Sequence, residues 1–370
     1  MISRIGIITA GNDVPGLNAA IRAIGKTALE TGIEVIGFHD GFNGLITNNG
    51  QQLLGPDLSG IITLGGTILG TSEDLPGNGL ESKLIIEKAK ATYRKQKLDA
   101  LIVLGGAIMQ NGAYALSQAG LNILSLPKSI SNDLAFTDYT IGFDTALTVA
   151  TEAIDRLHST AYSHHRIIIV EILGRHAGWL TLGAGIAGGA DIILIPEIPY
   201  SMKNVAGAIE KRKLDGKKFS IVAVSEGALT QENVDFFTRN KEINRKMREG
   251  VEFETIHSRL KTIENQYADN TNLLSQLLRE LTGIDTRVTI LGLLLRGGTP
   301  SAIDRLRATQ LGSSSISFLQ SGSQGVMLAF QDNQVVGVPL KDVAGRHNPL
   351  PIDHTWIDCA RKVGTCFGDE

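Results

Sequence analysis

The stretch IGIITAGNDVPGLNAAIR, residues 5–22, decides the fold of this chain. Its first five residues are β-branched apart from Gly6, which is typical of a buried strand. The segment AGNDVPG that follows predicts a turn, because it combines glycine, proline and small polar residues. Leu17 and Ile21 then begin an apolar stripe at helical spacing. A strand, a tight turn and a helix in this order predict the first half of a β-α-β unit.

The same alternation continues along most of the chain. Strands are predicted at residues 34–38, 100–104, 122–126, 166–173, 191–196, 220–225 and 287–291, and a helix at 145–158. Buried strands that alternate with helices predict an α/β fold with a mainly parallel sheet. The chain has 370 residues, more than the roughly 250–300 that a single hydrophobic core usually serves, so two lobes are expected.

The segment from residue 228 to residue 282 interrupts this alternation, since it is charged and carries no strand pattern. It predicts a helical insertion with apolar stripes at Phe253, Ile256, Leu260, Ile263 and Tyr267 and at Leu273 to Leu281. An amphipathic helix buries its apolar face either on its own domain or on a partner, and the sequence leaves both alternatives open.

Composition excludes several classes of function. Hydrophobic residues make up 42% and charged residues 20%, a balance typical of a globular protein. The formal charge of −3 gives no electrostatic reason to expect binding to nucleic acid or to an anionic membrane. The two cysteines, Cys359 and Cys366, are too few for a disulfide framework. The sequence shows no signal peptide or membrane-spanning run, so a cytoplasmic location is expected.

Glycine and polar residues are concentrated where the predicted strands end. They occur as Gly11-Asn12-Asp13, Gly105-Gly106-Ala107, Lys128 to Asp133, Gly174-Arg175-His176, Glu226-Gly227 and Arg296-Gly297-Gly298. Ligands of open α/β sheets bind beyond the carboxyl ends of the strands. Backbone N–H groups at glycine turns and arginine side chains both hold phosphate, so these loops predict a phosphorylated ligand. The sequence has no GxxxxGK[ST] or GxSxG motif, and its histidines lack metal-ligand spacing, so no protein-held metal is predicted.

These loops, in this order, resemble those of the 6-phosphofructokinase family, in its ATP-dependent and pyrophosphate-dependent branches. The resemblance rests on TAGNDVPGLNAAIR, GGTILGTS, PKSISND, TDYTIGFDTA, GIAGGAD and TRVTILG followed by RGG. It implies two doubly wound α/β lobes with the site in the cleft between them. Residues 1–142 with 295–345 would form a donor-side lobe, and residues 143–294 with 346–370, including the insertion, a sugar-phosphate-side lobe. The family reaction, a step of glycolysis, transfers a phosphoryl group to the 1-hydroxyl of fructose 6-phosphate.

On the sugar-phosphate side, the residues that the resemblance implies are present. They are Ser129, Arg166, Leu173, Gly174, Arg175, Glu226, Arg287 and Arg296. In the family, the residue at Arg175 stabilises the transferring phosphoryl group and the residue at Glu226 binds sugar hydroxyls. Arg166 and Arg287 would bind the 6-phosphate across a subunit interface, so a homo-oligomer, either a dimer or a tetramer, is expected. One family contact is replaced, since Leu293 stands where a histidine is usual.

The donor side departs from the family pattern. Ser131 stands where the family has its aspartate base, and Ala107 stands where an aspartate lies near Mg²⁺. A serine hydroxyl cannot accept a proton near neutral pH without a partner base, and removing a carboxylate weakens metal binding. Ile108 and Met109 place apolar bulk where the donor phosphates should lie. The remaining donor-side positions are Gly11, Asn12, Glu73 and Gly106, and Asp133 keeps only a secondary catalytic role.

The sequence therefore predicts a catalytically degenerate phosphofructokinase, a pseudoenzyme that binds fructose 6-phosphate or a related sugar phosphate. It would act as a regulatory or partner subunit, in a homo-oligomer or in a hetero-oligomer with an active paralogue. Two alternatives stay open: an active 6-phosphofructokinase with an altered donor or a substitute base, and a structural partner that uses the helices of residues 228–282. Mg²⁺ with ATP or pyrophosphate is expected only for the active alternative, with Asp13, Asp133 or Asp144 as substitute groups. An allosteric effector site is partly matched by Arg22, Lys26 and Lys217.

Overall fold

A computed structural model describes residues 2–74, 80–235 and 270–370. The contacts within the chain divide it into two compact units, and each unit has its own sheet and its own helices. The first unit comprises Met1–Thr148 and Leu293–Asn348, and the second comprises Val149–Gly292 and Pro349–Glu370. The predicted α/β fold class is confirmed, whereas the donor-side and sugar-phosphate-side roles of the lobes stay predictions.

Among the described residues, the first unit contains a seven-stranded sheet. Its strands are β1 (Arg4–Ala10), β2 (Glu34–Phe38), β3 (Gly50–Gln52), β4 (Ala100–Gly105), β5 (Ile123–Pro127), β10 (Val326–Gln331) and β11 (Gln334–Pro339). They follow the order β11-β10-β5-β4-β1-β2-β3, in which the edge strands β3 and β11 are antiparallel to their neighbours and the other pairs are parallel. The chain order reverses between β1 and β4, and such a reversal is where α/β sheets bind ligands.

The described sheet of the second unit has four parallel strands. They are β6 (Ile167–Ile172), β7 (Ile192–Leu194), β8 (Ser220–Ser225) and β9 (Thr286–Ile290), in the order β7-β8-β6-β9. All of β8 and nearly all of β6 are buried. Their continuous apolar runs predicted this burial, which is typical of central strands in a parallel sheet.

Helices connect the strands of both units. They are α1 (Leu17–Glu30), α2 (Phe42–Thr47), α3 (Leu80–Lys95), α4 (Ala107–Gln118), α5 (Phe143–His164), α6 (Trp179–Ala187), α7 (Met202–Leu214), α8 (Asn270–Thr282), α9 (Ala302–Gln320), α10 (Leu340–Val343) and α11 (Thr355–Lys362). The helix predicted at residues 145–158 is confirmed as part of α5. None of the described helices combines the length and the apolar character that crossing a membrane requires.

Helix α8 forms the C-terminal end of the predicted insertion, residues 228–282. Its residues Leu274 and Leu278 are buried in one apolar cluster with Val205 and Ile209 of α7. This part of the insertion therefore packs on its own unit, which was one of the two alternatives. The predicted stripe from Phe253 to Tyr267 lies outside the described residues.

The hairpin of β10 and β11 was missed by the sequence analysis. Asp332 and Asn333 form its turn with φ angles of 50° and 61°, the left-handed geometry that two-residue hairpin turns require. Strand β11 lies at a sheet edge and is largely exposed or half-buried. It therefore lacks the continuous apolar run by which the central strands were predicted.

Asp304 of α9 joins that helix to the first turn of α5, which lies in the first unit, and is fully buried, with 0% exposure. Its carboxylate accepts the N–H groups of Gly142 at 2.9 Å and Thr145 at 2.8 Å, and the Thr145 hydroxyl at 2.5 Å. These are donors of the first turn of α5, which have no partner within their own helix. A residue at the start of α9 thus caps a helix that begins about 160 residues earlier in the chain.

We expect Asp304→Ala to destabilise the protein by about 2–4 kcal/mol, because it leaves two backbone N–H groups buried without acceptors. Chemical denaturation measures the free energy of unfolding, with Asp155→Ala as the matched control, since Asp155 is an exposed residue of the same helix α5. A loss below about 0.5 kcal/mol, the range of ordinary surface substitutions, would show that the cap does not hold α5.

Candidate functional site

The predicted donor-side residues lie at one edge of the first unit's sheet. Gly11 and Asn12 follow β1, Gly106 precedes α4 after β4, and residues 128–133 follow β5. Strand β4 pairs with both β1 and β5, so the three loops are neighbours at the carboxyl ends of parallel strands. The structure therefore brings the predicted donor loops together at the point where the strand order reverses.

Met109 covers the backbone of Gly11. Gly11 has a φ of +80°, and a Cβ at this position would lie 2.9 Å from the Met109 Cγ. The Met109 side chain is 5% exposed, whereas Ile108 is 54% exposed. A glycine turn of this kind otherwise lets a phosphate approach the backbone closely. Here a thioether side chain takes that space, so the apolar bulk expected from the sequence comes from Met109 rather than from Ile108.

Residues 71–73 run beside the Gly11 loop and engage it. The Gly11 N–H donates to the Ser72 carbonyl oxygen at 2.8 Å, and the Thr71 hydroxyl donates to the Gly11 carbonyl oxygen. This pairing places the exposed Glu73 next to the loop. A carboxylate repels the phosphates of a donor, and the Gly11 N–H is already occupied, so both features weaken an anion site here.

Ser131 lies in a short chain of hydrogen bonds after β5. Its N–H donates to the Ser129 Oγ at 3.1 Å, and the Ser129 hydroxyl donates to Asp133 Oδ1 at 2.6 Å. The Asp133 carboxylate is thus engaged by Ser129 rather than by Ser131. This arrangement fixes the loop, but it does not give the Ser131 hydroxyl a partner base of the kind that activates a serine.

Lys128 is a buried amine at the end of β5, and its side chain is 3% exposed. Its Nζ donates to the Asn12 carbonyl oxygen. Burial lowers the pKa of Lys128 to about 7, although the Asp13 and Glu73 carboxylates oppose this effect. Near neutral pH a large fraction of this amine is therefore uncharged and able to accept a proton. The sequence analysis did not single out Lys128 as a functional residue.

Arg296 belongs to the first unit, where its Nη1 donates to Asn12 Oδ1 at 2.8 Å. The structure thus places this predicted sugar-phosphate arginine beside the donor loop. Arg166 and Arg287, the other arginines predicted for the 6-phosphate, belong to the second unit.

In the second unit, the predicted residues that contact sugar and phosphate lie at the carboxyl ends of two paired strands. Leu173, Gly174 and Arg175 follow β6, and Glu226 follows β8. The Arg175 Nε lies 4.0 Å from Glu226 Oε1, and the Arg175 side chain is 76% exposed. An exposed guanidinium beside a half-buried carboxylate suits a phosphorylated sugar, because the former binds phosphate and the latter accepts hydroxyl hydrogen bonds.

Arg166 and Arg287 lie at the opposite end of the same sheet. Arg166 precedes β6, and Arg287 pairs in register with the second residue of that strand. Both guanidinium groups contact the Asp285 carboxylate, at 2.7 Å and 3.3 Å. A strand of this length separates them from Gly174 by about 20 Å, so within one chain they cannot share a ligand with Arg175. This separation is what the predicted role across a subunit interface requires.

The three predicted effector residues are divided between the units. Arg22 and Lys26 lie on α1 in the first unit. Lys217 lines a cavity of about 380 Å³ in the second unit, together with His165, Lys213, Lys218 and Phe219 among others. The effector site stays a prediction.

The resemblance to phosphofructokinases implies Mg²⁺ on the donor phosphates. No group of three or more His, Cys, Asp or Glu side chains is placed to hold a metal ion within residues 2–74, 80–235 and 270–370. Ala107 offers no ligand atom at the position where the family has a carboxylate. The residues present do not fit a protein-held Mg²⁺, so no step of the reaction is assigned to one.

Comparisons with known proteins agree on one family. The model of the Phosphofructokinase family matches residues 4–319. An ATP-dependent 6-phosphofructokinase from Propionibacterium freudenreichii is 48% identical over the full length of both chains. A pyrophosphate–fructose 6-phosphate 1-phosphotransferase from Amycolatopsis mediterranei is 39% identical over 95% of this chain and 97% of its own. The crystal structure of Pichia pastoris phosphofructokinase in the T-state matches with a TM-score of 0.76 and 29% identity, over 93% of this chain and 35% of the yeast chain.

Proposed function

The chain belongs to the phosphofructokinase family, and on that premise we propose that it binds fructose 6-phosphate and transfers a phosphoryl group to the 1-hydroxyl slowly. The observation that carries this proposal is that the predicted sugar-phosphate residues are retained, whereas the predicted donor loop is obstructed. Arg175 and Glu226 are retained and lie 4.0 Å apart, whereas Met109 covers Gly11 in the predicted donor loop after β1. The 48% identity to an ATP-dependent 6-phosphofructokinase supports the reaction itself. Oligomers, which are typical of the family, and a cytoplasmic location belong to the same proposal.

We assign the proton-accepting role to Lys128. The uncharged amine takes the proton of the 1-hydroxyl, the sugar oxygen forms a bond to the transferring phosphorus, and the bond to the donor's leaving oxygen breaks. Two of the three substitute carboxylates are engaged elsewhere, since Asp133 accepts from Ser129 at 2.6 Å and Asp144 accepts from Ser301 at 2.6 Å. In the phosphofructokinase family, an arginine at the position of Arg175 stabilises the transferring group, and we assign the same role to Arg175.

The expected rate follows from the missing groups. A positioned general base contributes roughly 10²–10⁴ in rate, and typical enzymes turn over about 10 times per second. If the substitute amine recovers little of that factor, kcat lies at about 10⁻³ to 10⁻¹ s⁻¹. The chain would then be a slow 6-phosphofructokinase rather than an inactive one.

A second candidate is the non-catalytic sugar-phosphate-binding subunit that the sequence predicted, in a hetero-oligomer with an active paralogue. One observation favours it: Met109 occupies the space at Gly11 and is itself buried. The similar proteins give no support for a loss of catalysis, since those compared above are named for the transfer reaction. This candidate therefore ranks second.

The test is a transfer assay on the purified chain with saturating fructose 6-phosphate and Mg²⁺, offering ATP, ADP and pyrophosphate separately. A kcat of about 10⁻³ to 10⁻¹ s⁻¹ with at least one donor supports the proposal. No transfer above the background of Arg175→Ala, which serves as a control for contaminating enzyme, would replace it by the second candidate. Turnover near 10 s⁻¹, the ordinary range, would show that the donor side is not impaired.

The pH dependence of the transfer tests the role of Lys128. The amine accepts a proton only when it is uncharged, so kcat should rise about tenfold from pH 6 to pH 8 around a pKa of about 7. Lys128→Met should lower kcat and remove this rise. A wild-type profile that is flat between pH 6 and pH 8, or a variant that keeps the rise, would contradict the assignment.

A further inference from the structure

The loop at residues 174–178, which carries Arg175, is held closely against the end of β8. The Ser225 hydroxyl donates to the Gly174 carbonyl oxygen at 2.5 Å. Gly227 approaches the carbonyl oxygen of Arg175 so closely that a Cβ at position 227 would overlap it. The backbone of the first half of the loop is therefore held by the Ser225 hydroxyl and by the close approach of Gly227, the two residues that flank Glu226.

Glu197 holds the other end of the loop. Its carboxylate oxygens accept the Gly178 N–H at 2.9 Å and 3.1 Å. Oxygen Oε1 also accepts the N–H of Leu350, a buried residue, at 2.8 Å. A Cβ at position 178 would lie 2.6 Å from the Cβ of Ile195, so the loop end is in close contact with the chain that carries Glu197. One carboxylate thus ties the loop to the C-terminal segment of the second unit.

A cluster of three rings lies at the same junction. Trp179 follows Gly178 directly, and its ring centroid lies 4.9 Å from that of His354 and 6.3 Å from that of Trp356. Edge-to-face pairs at such distances are favourable. The cluster joins the same two chain segments as Glu197, and it places a fluorescent side chain next to the loop end.

We propose that Glu197 is a positioning residue for phosphoryl transfer, which fixes the loop that presents Arg175 beside Glu226. The Arg175 side chain is 76% exposed, with its Nε 4.0 Å from Glu226 Oε1, so the backbone of the loop has to set its place. A shift of about 1 Å in such a group lowers a transfer rate strongly. Glu226 follows β8 and does not depend on Glu197. This inference rests on the proposed function, because that function gives Arg175 its role at the transferring group.

Glu197→Leu is the first test, read by hydrogen exchange and independent of turnover. Both N–H groups donate to Oε1, which a glutamine would keep as an amide oxygen, whereas leucine fills much of the same volume and has no accepting atom. We expect the amides of residues 174–178 and Leu350 to exchange about tenfold faster or more, and those of β8 to stay unchanged. The combined emission of Trp179 and Trp356, the two tryptophans of the chain, should shift with them. Unchanged exchange at the loop, or faster exchange that also includes β8, would overturn the proposal.

The second test measures the rate of transfer and the affinity for fructose 6-phosphate separately. It uses a chain that also carries Ser131→Asp, because an aspartate at this position supplies a general base and is expected to raise kcat to a level that is easier to measure. Glu197→Leu should lower kcat about tenfold and change the Kd of fructose 6-phosphate less than about twofold. Glu210→Leu is the matched control, since Glu210 is an exposed residue of α7, and it should change neither quantity. An equal loss of affinity and rate with a lower Tm would reduce Glu197 to a structural role. If neither the unmodified chain nor the Ser131→Asp variant transfers a phosphoryl group, the proposed function fails. Hydrogen exchange alone then decides whether Glu197 fixes the loop.

Discussion

Replacing Ser131 by aspartate is expected to raise kcat by roughly 10²- to 10⁴-fold, the range that a positioned general base contributes. The backbone at this position is held in place, because the Ser131 N–H donates to the Ser129 Oγ at 3.1 Å. Asp133 does not compete for the role, since it accepts from Ser129 at 2.6 Å. The measurement is the rate of transfer to fructose 6-phosphate at saturating donor.

Ser131→Asn is the matched control for this substitution. Asparagine has nearly the shape of aspartate but lacks a basic oxygen, so kcat should stay within about twofold of the unmodified chain. The Ser131→Asp variant should also become largely independent of Lys128, because the new carboxylate takes over the proton. If Ser131→Asp leaves the rate unchanged, the missing carboxylate does not limit transfer, and the explanation of the slow rate is wrong.

The pair Ala107→Asp and Met109→Ser is expected to raise kcat/KM for the donor roughly 100-fold, by restoring a carboxylate for Mg²⁺ and space beside Gly11. The gain should appear mainly as a lower KM of the donor and as a new dependence on Mg²⁺. Met109 is 5% exposed, so its removal leaves a cavity that costs about 2–5 kcal/mol of stability. The kinetics therefore have to be measured well below the Tm of the variant.

Met109→Leu is the control for this pair, since leucine keeps an apolar side chain of similar volume beside Gly11. It should leave the donor KM unchanged. A donor KM that does not respond to the paired substitution would mean that Met109 and Ala107 are not what limits donor binding. The residual contacts of the loop, such as the Gly11 N–H to Ser72 at 2.8 Å, would then be the next candidates.

The parts of the fold that were predicted correctly depend on local patterns. Strand β1, its turn and helix α1 follow from eighteen consecutive residues, because burial on both faces imposes an apolar, mostly β-branched run that only Gly6 breaks. Strand β11 was missed because an edge strand has one free side and its sequence is correspondingly mixed, whereas the buried strand β10 carries an apolar run that could have predicted it. The turn residues between them, Asp332 and Asn333, were a second signal that could have found the hairpin.

The site shows where such local patterns stop being informative. Glycine and arginine at strand ends were sufficient to predict the loops that follow β1, β4, β6 and β8. The segment Arg296 to Gly298 instead begins at the last residue of a short 3-10 helix after β9. The pKa of Lys128, about 7, results from burial by loops that are distant in sequence. The same holds for Glu197, whose partners Gly178 and Leu350 lie 19 and 153 residues away. Contacts of that range are set by tertiary packing and leave no periodic trace in the sequence.

On the proposed function, the chain binds the sugar phosphate well and the phosphoryl donor poorly. A pair of calorimetric titrations of the unmodified chain is the most direct test of this difference. One uses fructose 6-phosphate, and the other uses non-transferable analogues of the donors, imido-ATP and imidodiphosphate, with Mg²⁺. We predict saturation by fructose 6-phosphate at roughly 1 μM–1 mM, the usual range of enzyme substrates, and no saturation by either analogue in that range. Tight binding of a donor analogue, or no binding of fructose 6-phosphate, would contradict this prediction.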